Sequence, residues 1–72
     1  MRIEADNFDL FLTPVHKMDD GFLFHFVLRP KGGRPWWIGN IEAANWWTAE
    51  EIIFNAQKSG NLHCIAKIEF GV

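Results

Sequence analysis

The sequence contains no tyrosine and only one cysteine, Cys64, among its 72 residues. A single cysteine excludes an internal disulfide and any zinc site built from paired cysteines. No apolar run approaches the 18 or so residues that a membrane span needs. The first residues, MRIEADNFD, also lack the apolar core of a signal peptide. These absences predict a soluble cytoplasmic protein that does not bind a membrane.

Motifs for catalysis, metal binding and nucleotide binding are missing as well. There is no CxxC or HxxxH spacing, and His63 and Cys64 are neighbours that point to opposite faces of a strand. His16 and His25 would hold a metal ion only if another molecule supplied further ligands. The PKGGRP segment lacks the lysine and hydroxyl residue that end a phosphate-binding loop. We therefore expect no enzyme activity, no metal site and no cofactor.

Large aromatic side chains are abundant, with seven phenylalanines and four tryptophans. A chain of this length forms one domain, residues 1–72, and buries only about 60% of its unfolded surface. The single small core cannot hide so many large apolar groups. We expect some aromatic surface to be left for a partner protein or for a second copy of the chain.

A short amphipathic helix is predicted over residues 49–59. Thr48 is a good N-cap, and Glu51 completes a capping box with it. Trp47 just before the cap is predicted to pack on the helix as a hydrophobic staple, and Gly60 is expected to end the helix in the left-handed conformation. The residues expected to face the sheet lie at helical spacing: Ala49, Ile52, Ile53 and Ala56.

The rest of the chain has the alternation of strands. The predicted strands are residues 2–15 (interrupted at 6–7), 22–29, 36–42 and 62–70, the last with Cys64 facing the core. This order predicts an α+β fold of β-β-β-α-β topology. Because a crossover through the helix would make the last strand parallel to an earlier one, we expect a four-stranded mixed sheet with one helix on one face.

Two turns set the details of this sheet. In KMDDG, a two-residue turn at Asp20-Gly21 would place His16 opposite His25, whereas a turn at Asp19-Asp20 would shift the pairing. In WWIGNIE, Gly39 is expected to mark a β-bulge.

One helix leaves the second face of the sheet without cover, and that face should then be polar. Apolar residues such as Leu23 and one of each tryptophan pair do not fit this rule. We therefore expect a non-enzymatic protein-interaction module, with a small inhibitor or adaptor as the narrower interpretation. The residues expected to bind the partner are Leu23, Arg29, Arg34, Trp36, Trp37, Trp46 and Phe54.

The alternative function is binding of single-stranded nucleic acid by residues 29–37. Phosphates would meet Arg29, Lys31 and Arg34, and an unpaired base would stack on Trp37. The net charge of −2 and the lack of a basic stripe favour the protein partner.

Overall fold

The computed structural model describes residues 1–32 and 36–69, which form one sheet and one helix. Five strands lie in chain order and each pair is antiparallel. Their bounds are Arg2–Glu4 (β1), Phe8–Met18 (β2), Gly21–Pro30 (β3), Trp36–Ala43 (β4) and Ala66–Glu69 (β5). The helix α1, Trp46–Ser59, and a 3₁₀ turn, Leu62–Cys64, connect β4 to β5. The α+β class is confirmed, but the prediction of a four-stranded mixed sheet is wrong.

The fifth strand arises because the chain reverses direction near its N-terminus. The predicted interruption at residues 6–7 is a tight reversal in which the Ala5 N–H donates to the Phe8 carbonyl at 2.9 Å. β1 therefore pairs with β2, with Arg2 opposite Phe11. The segment predicted to form one interrupted strand is therefore a small hairpin.

The sheet is antiparallel throughout because the chain also reverses between α1 and β5. Residues Leu62–Cys64, predicted to begin the last strand, form the 3₁₀ turn instead. β5 then starts opposite Gly39 and pairs antiparallel with β4. The turn buries only Leu62. Cys64 is therefore exposed, so its predicted place on the core face is wrong.

The β2–β3 hairpin turns at Asp19-Asp20, because Met18 is opposite Gly21. The alternative turn position is thus confirmed and the preferred one is wrong. This turn places His16 opposite Leu23 rather than opposite His25, and a register shift between Pro14 and His16 then places Thr13 opposite His25.

One face of the sheet forms the core with α1, and we call it the covered face. The alternation predicted for β3 is confirmed, since Phe24, Phe26 and Leu28 are at most 4% exposed. From α1, Ala49 and Ile53 are fully buried against them. The remaining buried apolar residues of this core are Leu10, Leu12, Ile41 and Leu62.

The helix begins earlier than predicted. The N-cap is Asn45, whose Oδ1 accepts hydrogen bonds from the backbone N–H of Thr48 at 2.9 Å and from its hydroxyl at 3.1 Å. The predicted capping role of Thr48 and the staple at Trp47 are wrong, and Trp47 is 63% exposed. The predicted end is confirmed: Gly60 has a φ of 78°, and the Asn61 N–H donates to the Ala56 carbonyl.

Gly39 does not mark a bulge, because the β3–β4 register runs without a shift. The lack of a side chain at Gly39 instead allows other atoms to pack close to the β4 backbone. A methyl group at this position would overlap the Ile65 carbonyl oxygen and contact the Phe26 ring at 3.0 Å. Glycine lets β5 and the core ring approach the β4 backbone together.

Candidate functional site

The face of the sheet opposite α1 carries a row of apolar side chains, and we call it the open face. Phe11, Val27 and Ile38 are register partners on three adjacent strands. Each of them is half-buried. Because α1 and the 3₁₀ turn pack in the core on the other side, no element among the described residues covers this row. The open face is thus apolar at its centre and available to another molecule.

Charged side chains form a network at one end of the open face. Asp9 is 3% exposed and lies between two guanidinium groups, 3.3 Å from Arg2 and 3.7 Å from Arg29. Glu4 accepts from Arg2 at 3.5 Å and pairs with Lys31 at 3.3 Å. Two carboxylates therefore neutralise most of the positive charge of three cations, and the buried Asp9 holds the guanidinium groups in place.

The Arg29 side chain also connects this network to an indole. Its guanidinium carbon lies 5.5 Å from the ring centroid of Trp36, within the range of a cation–π contact. Trp36 is half-buried and lies on the open face beside the apolar row. Tryptophan and arginine are among the side chains that most often dominate protein interfaces, and here the arginine is held in place by its ion pair with Asp9.

The other end of the open face carries a pair of polar side chains. His25 and Asn40 are register partners, and His25 Nδ1 lies 3.2 Å from Asn40 Oδ1. Leu23 continues the apolar surface beyond them, between His16 and Glu42 on the neighbouring strands. The apolar row is therefore bordered by the ion-pair network at one end and, at the other, by the His25–Asn40 pair with the Glu42 carboxylate beyond it.

The structure divides the predicted partner-binding residues between two surfaces. Leu23, Arg29 and Trp36 share the open face. Trp37 packs against the core on the covered face, so Trp36 is the outward member of that pair. Arg34 lies outside the described residues.

The two remaining predicted residues belong to α1. Phe54 packs edge-to-face on Phe8, with ring centroids 5.2 Å apart, and so closes one side of the core. Trp46 packs against the core, whereas Trp47 stacks on it at 4.6 Å and is mostly exposed. The expectation that Trp46 is the freer of the pair is wrong, because α1 starts at Trp46 and turns that residue inward.

Three important residues of the open face were missed by sequence reasoning: Phe11, Ile38 and Asp9. The alternation of FDLFLTPV contains the signal for two of them, since Phe8, Leu10 and Leu12 share one face and leave Asp9 and Phe11 on the other. The burial of Asp9 depends on arginines from two other strands, and no local pattern indicates it.

Groups that could perform catalysis or bind a metal are dispersed. Among residues 1–32 and 36–69, no three histidine, cysteine, aspartate or glutamate side chains are grouped closely enough to hold a metal ion. His16 and His25, which sequence reasoning placed opposite each other, have different cross-strand partners.

Comparisons with known proteins give no relative. No protein-family model, no curated protein and no solved structure matches this chain. In the part of the chain that the structure describes, no helix is long and apolar enough to cross a membrane.

Proposed function

We propose that this chain is a non-enzymatic protein-interaction domain that binds a partner protein through its open face. The observation that supports the proposal is the uncovered row of Phe11, Val27 and Ile38. Burying apolar surface stabilises a complex by roughly 25 cal/mol per Å². Three large apolar side chains at the centre of a sheet face do not stabilise the protein if that face stays in water.

The surroundings of the row also suit a protein interface. Protein interfaces combine an apolar centre, enriched in aromatic residues and arginine, with a polar rim. Trp36 and Arg29 supply the aromatic and arginine groups, and their mutual contact lowers the conformational entropy that binding would cost. His25, Asn40 and Thr13 supply hydrogen-bonding groups beside the row.

The narrower proposals concern the role and the place of action. Because the described residues present an apolar open face and no metal-binding cluster, we propose that the chain acts by covering or joining other proteins, as an inhibitor or adaptor. A cytoplasmic location is proposed from the single unpaired cysteine, because reducing compartments keep such thiols free. The partner is either a different protein or a second copy, and solution mass distinguishes them.

Binding of single-stranded nucleic acid is the second candidate function. Arg29, Lys31 and Trp36 lie near one another at one end of the open face and favour it. The carboxylates of Asp9 and Glu4 oppose it, because they neutralise the cations that phosphates would contact. An affinity for oligonucleotides that falls steeply with added salt would support this function over the first.

The test compares two lysine substitutions on the open face with two on the exposed side of α1. The open-face variant is Val27→Lys with Ile38→Lys, and the control is Asn55→Lys with Gln57→Lys, so that both gain the same charge. Each chain is produced in its native cells, and the mass of its complex is measured by size-exclusion chromatography with light scattering.

We expect the unchanged chain and the control to elute in a complex well above the 8.4 kDa of one chain. The open-face variant should elute as a folded monomer, with a helical circular dichroism spectrum that matches the control. If the open-face variant stays in the complex, or if the unchanged chain is always monomeric, the proposal is wrong. A complex of two identical chains would assign the open face to a second copy.

A further inference from the structure

A second apolar surface lies on the covered face, beyond the N-terminal end of α1. The helix does not cover this end of the sheet, and a cleft of about 270 Å³ remains there. Almost all of the surface inside it is apolar. Its walls are formed by Met1, Leu12, Pro14, Phe22, Phe24 and Trp46.

The size of the cleft limits what it can hold. Sites for drug-sized ligands and cofactors have volumes of about 300–1,000 Å³ and include several placed polar groups. This cleft is smaller, and Asn45 is its only amide-bearing wall residue among those that the structure describes. It therefore suits one bulky apolar side chain that projects from another protein.

A strongly acidic hollow of about 400 Å³ adjoins the cleft. Phe22 belongs to both, and Ala44 on the hollow side is followed directly by Asn45 on the cleft side. Three carboxylates line the hollow, those of Asp19, Asp20 and Glu42.

These carboxylates form no ion pair with another described residue, although Lys17 is the register partner of Phe22 on the same hairpin. Within the described residues, none of the ion pairs involves Asp19, Asp20 or Glu42, and no lysine or arginine lines the hollow. Lys17 is on the same hairpin but does not line it. The negative potential beside the apolar cleft is therefore available to a cation from outside.

We infer that this cleft binds a segment of a partner protein in which a bulky apolar residue lies next to lysine or arginine. The apolar side chain enters between Phe22 and Trp46, and the neighbouring cation faces the carboxylates of the hollow. The apolar cleft makes the site, and the acidic rim selects the charge of the segment. A cation near the Trp46 ring would gain a further cation–π contact.

The apolar cleft lies on the opposite side of the sheet from the open face, whereas Glu42 of the acidic hollow is the register partner of Leu23 at the edge of the open face. A chain with two binding surfaces can join two proteins, which would favour the adaptor role over the inhibitor role. The inference does not depend on the function proposed for the open face, and the two fail independently.

The experiment uses three capped peptides, GKFKG, GKAKG and GEFEG, titrated into the isotopically labelled full chain and followed by NMR. We expect GKFKG to give saturable shifts at Leu12, Phe22, Phe24 and the Trp46 indole. Its affinity should exceed that of GKAKG about tenfold, as burial of a phenyl group predicts. GEFEG should bind more weakly than either lysine peptide because the rim repels it.

Two variants of the protein sharpen the result. Replacing Asp20→Asn together with Glu42→Gln should lower the affinity for GKFKG about fivefold, since both groups are exposed and partly screened. Val27→Lys on the open face should leave that affinity unchanged. Equal binding of all three peptides, shifts outside the cleft, or no effect of the neutral variants would overturn the inference.

Discussion

The two faces of the sheet are both apolar, yet only one of them is a core. On β3, the covered face presents Phe24 and Phe26, at most 4% exposed, and the open face presents Leu23 and Val27, which are half-buried. On β2, the fully buried Leu10 alternates with the half-buried Phe11. Both faces carry apolar side chains, but α1 lies over only one of them.

The difference follows from how much cover the described chain supplies. α1 has 14 residues and is about 21 Å long, at 1.5 Å per residue. One helix of this length can lie over one face of the sheet but not both. The open face therefore keeps apolar surface that no described element buries. Substitutions on the covered face should therefore mainly lower stability, and substitutions on the open face should mainly weaken binding.

The largest expected effect is on the covered face. Phe26→Ala should lower the free energy of unfolding by about 3–5 kcal/mol, because it removes a fully buried ring and leaves a cavity. Phe11→Ala should cost about 1 kcal/mol, since only part of its ring is removed from water in the free chain. Urea unfolding followed by circular dichroism gives both values. Equal losses would show that the open face is part of the core.

The next effect tests the close approach of β5 to β4. Gly39→Ala should destabilise the fold by about 1–3 kcal/mol, because the added methyl group meets the Ile65 carbonyl and the Phe26 ring. Asn40→Ala, at the neighbouring exposed position, is the matched control and should cost less than about 1 kcal/mol. Thermal unfolding of the two variants side by side makes the comparison. A neutral Gly39→Ala would contradict the packing described for this glycine.

A smaller effect is expected at the charged end of the open face. Asp9→Asn should lower stability by about 1 kcal/mol, because it leaves Arg2 and Arg29 without their buried partner while both remain largely in solvent. The loss should shrink in 1 M salt, which screens the exposed guanidinium groups. Unfolding measured at low and high salt tests this. An unchanged stability at low salt would mean that the network does not order this end of the face.

The last comparison, with effects of about 1 kcal/mol or less, tests Asn45 against the predicted cap Thr48. Asn45→Ala should cost about 1 kcal/mol, since its side chain accepts the Thr48 N–H. Thr48→Ala should change stability by less than about 0.5 kcal/mol, because an exposed residue within the first turn has no capping role. Helix content and midpoint of thermal unfolding report both. The reverse ranking would restore Thr48 as the cap.

Local patterns were enough to predict the parts of the fold that depend on neighbouring residues. The alternation of β3 and the end of α1 at Gly60 were predicted correctly, because side-chain parity and the left-handed cap are set within a few residues. The prediction of Thr48 as the N-cap failed, because Asn45 is a residue type that caps helices at least as well and accepts the Thr48 N–H. The helix therefore starts at Trp46, which packs against the core.

The wrong parts of the prediction depend on long-range pairing. The direction of β5 follows from a 3₁₀ turn at Leu62–Cys64 that reverses the chain, and the strand pattern of that segment does not show it. The separate existence of β1 likewise depends on its pairing with β2. For the open face, β3 alternation indicated Leu23 and Val27, but the buried position of Asp9 needs arginines from two other strands.

The central claim is that the open face contacts another protein, and site-specific photo-cross-linking tests it most directly. A photo-reactive phenylalanine replaces Phe11 on the open face or, as control, Gln57 on the exposed side of α1. After irradiation in native cells, we expect one cross-linked product of defined mass from Phe11 that disappears with Val27→Lys, and no such product from Gln57. The absence of a defined product from Phe11, or the same products from both positions, would contradict the account.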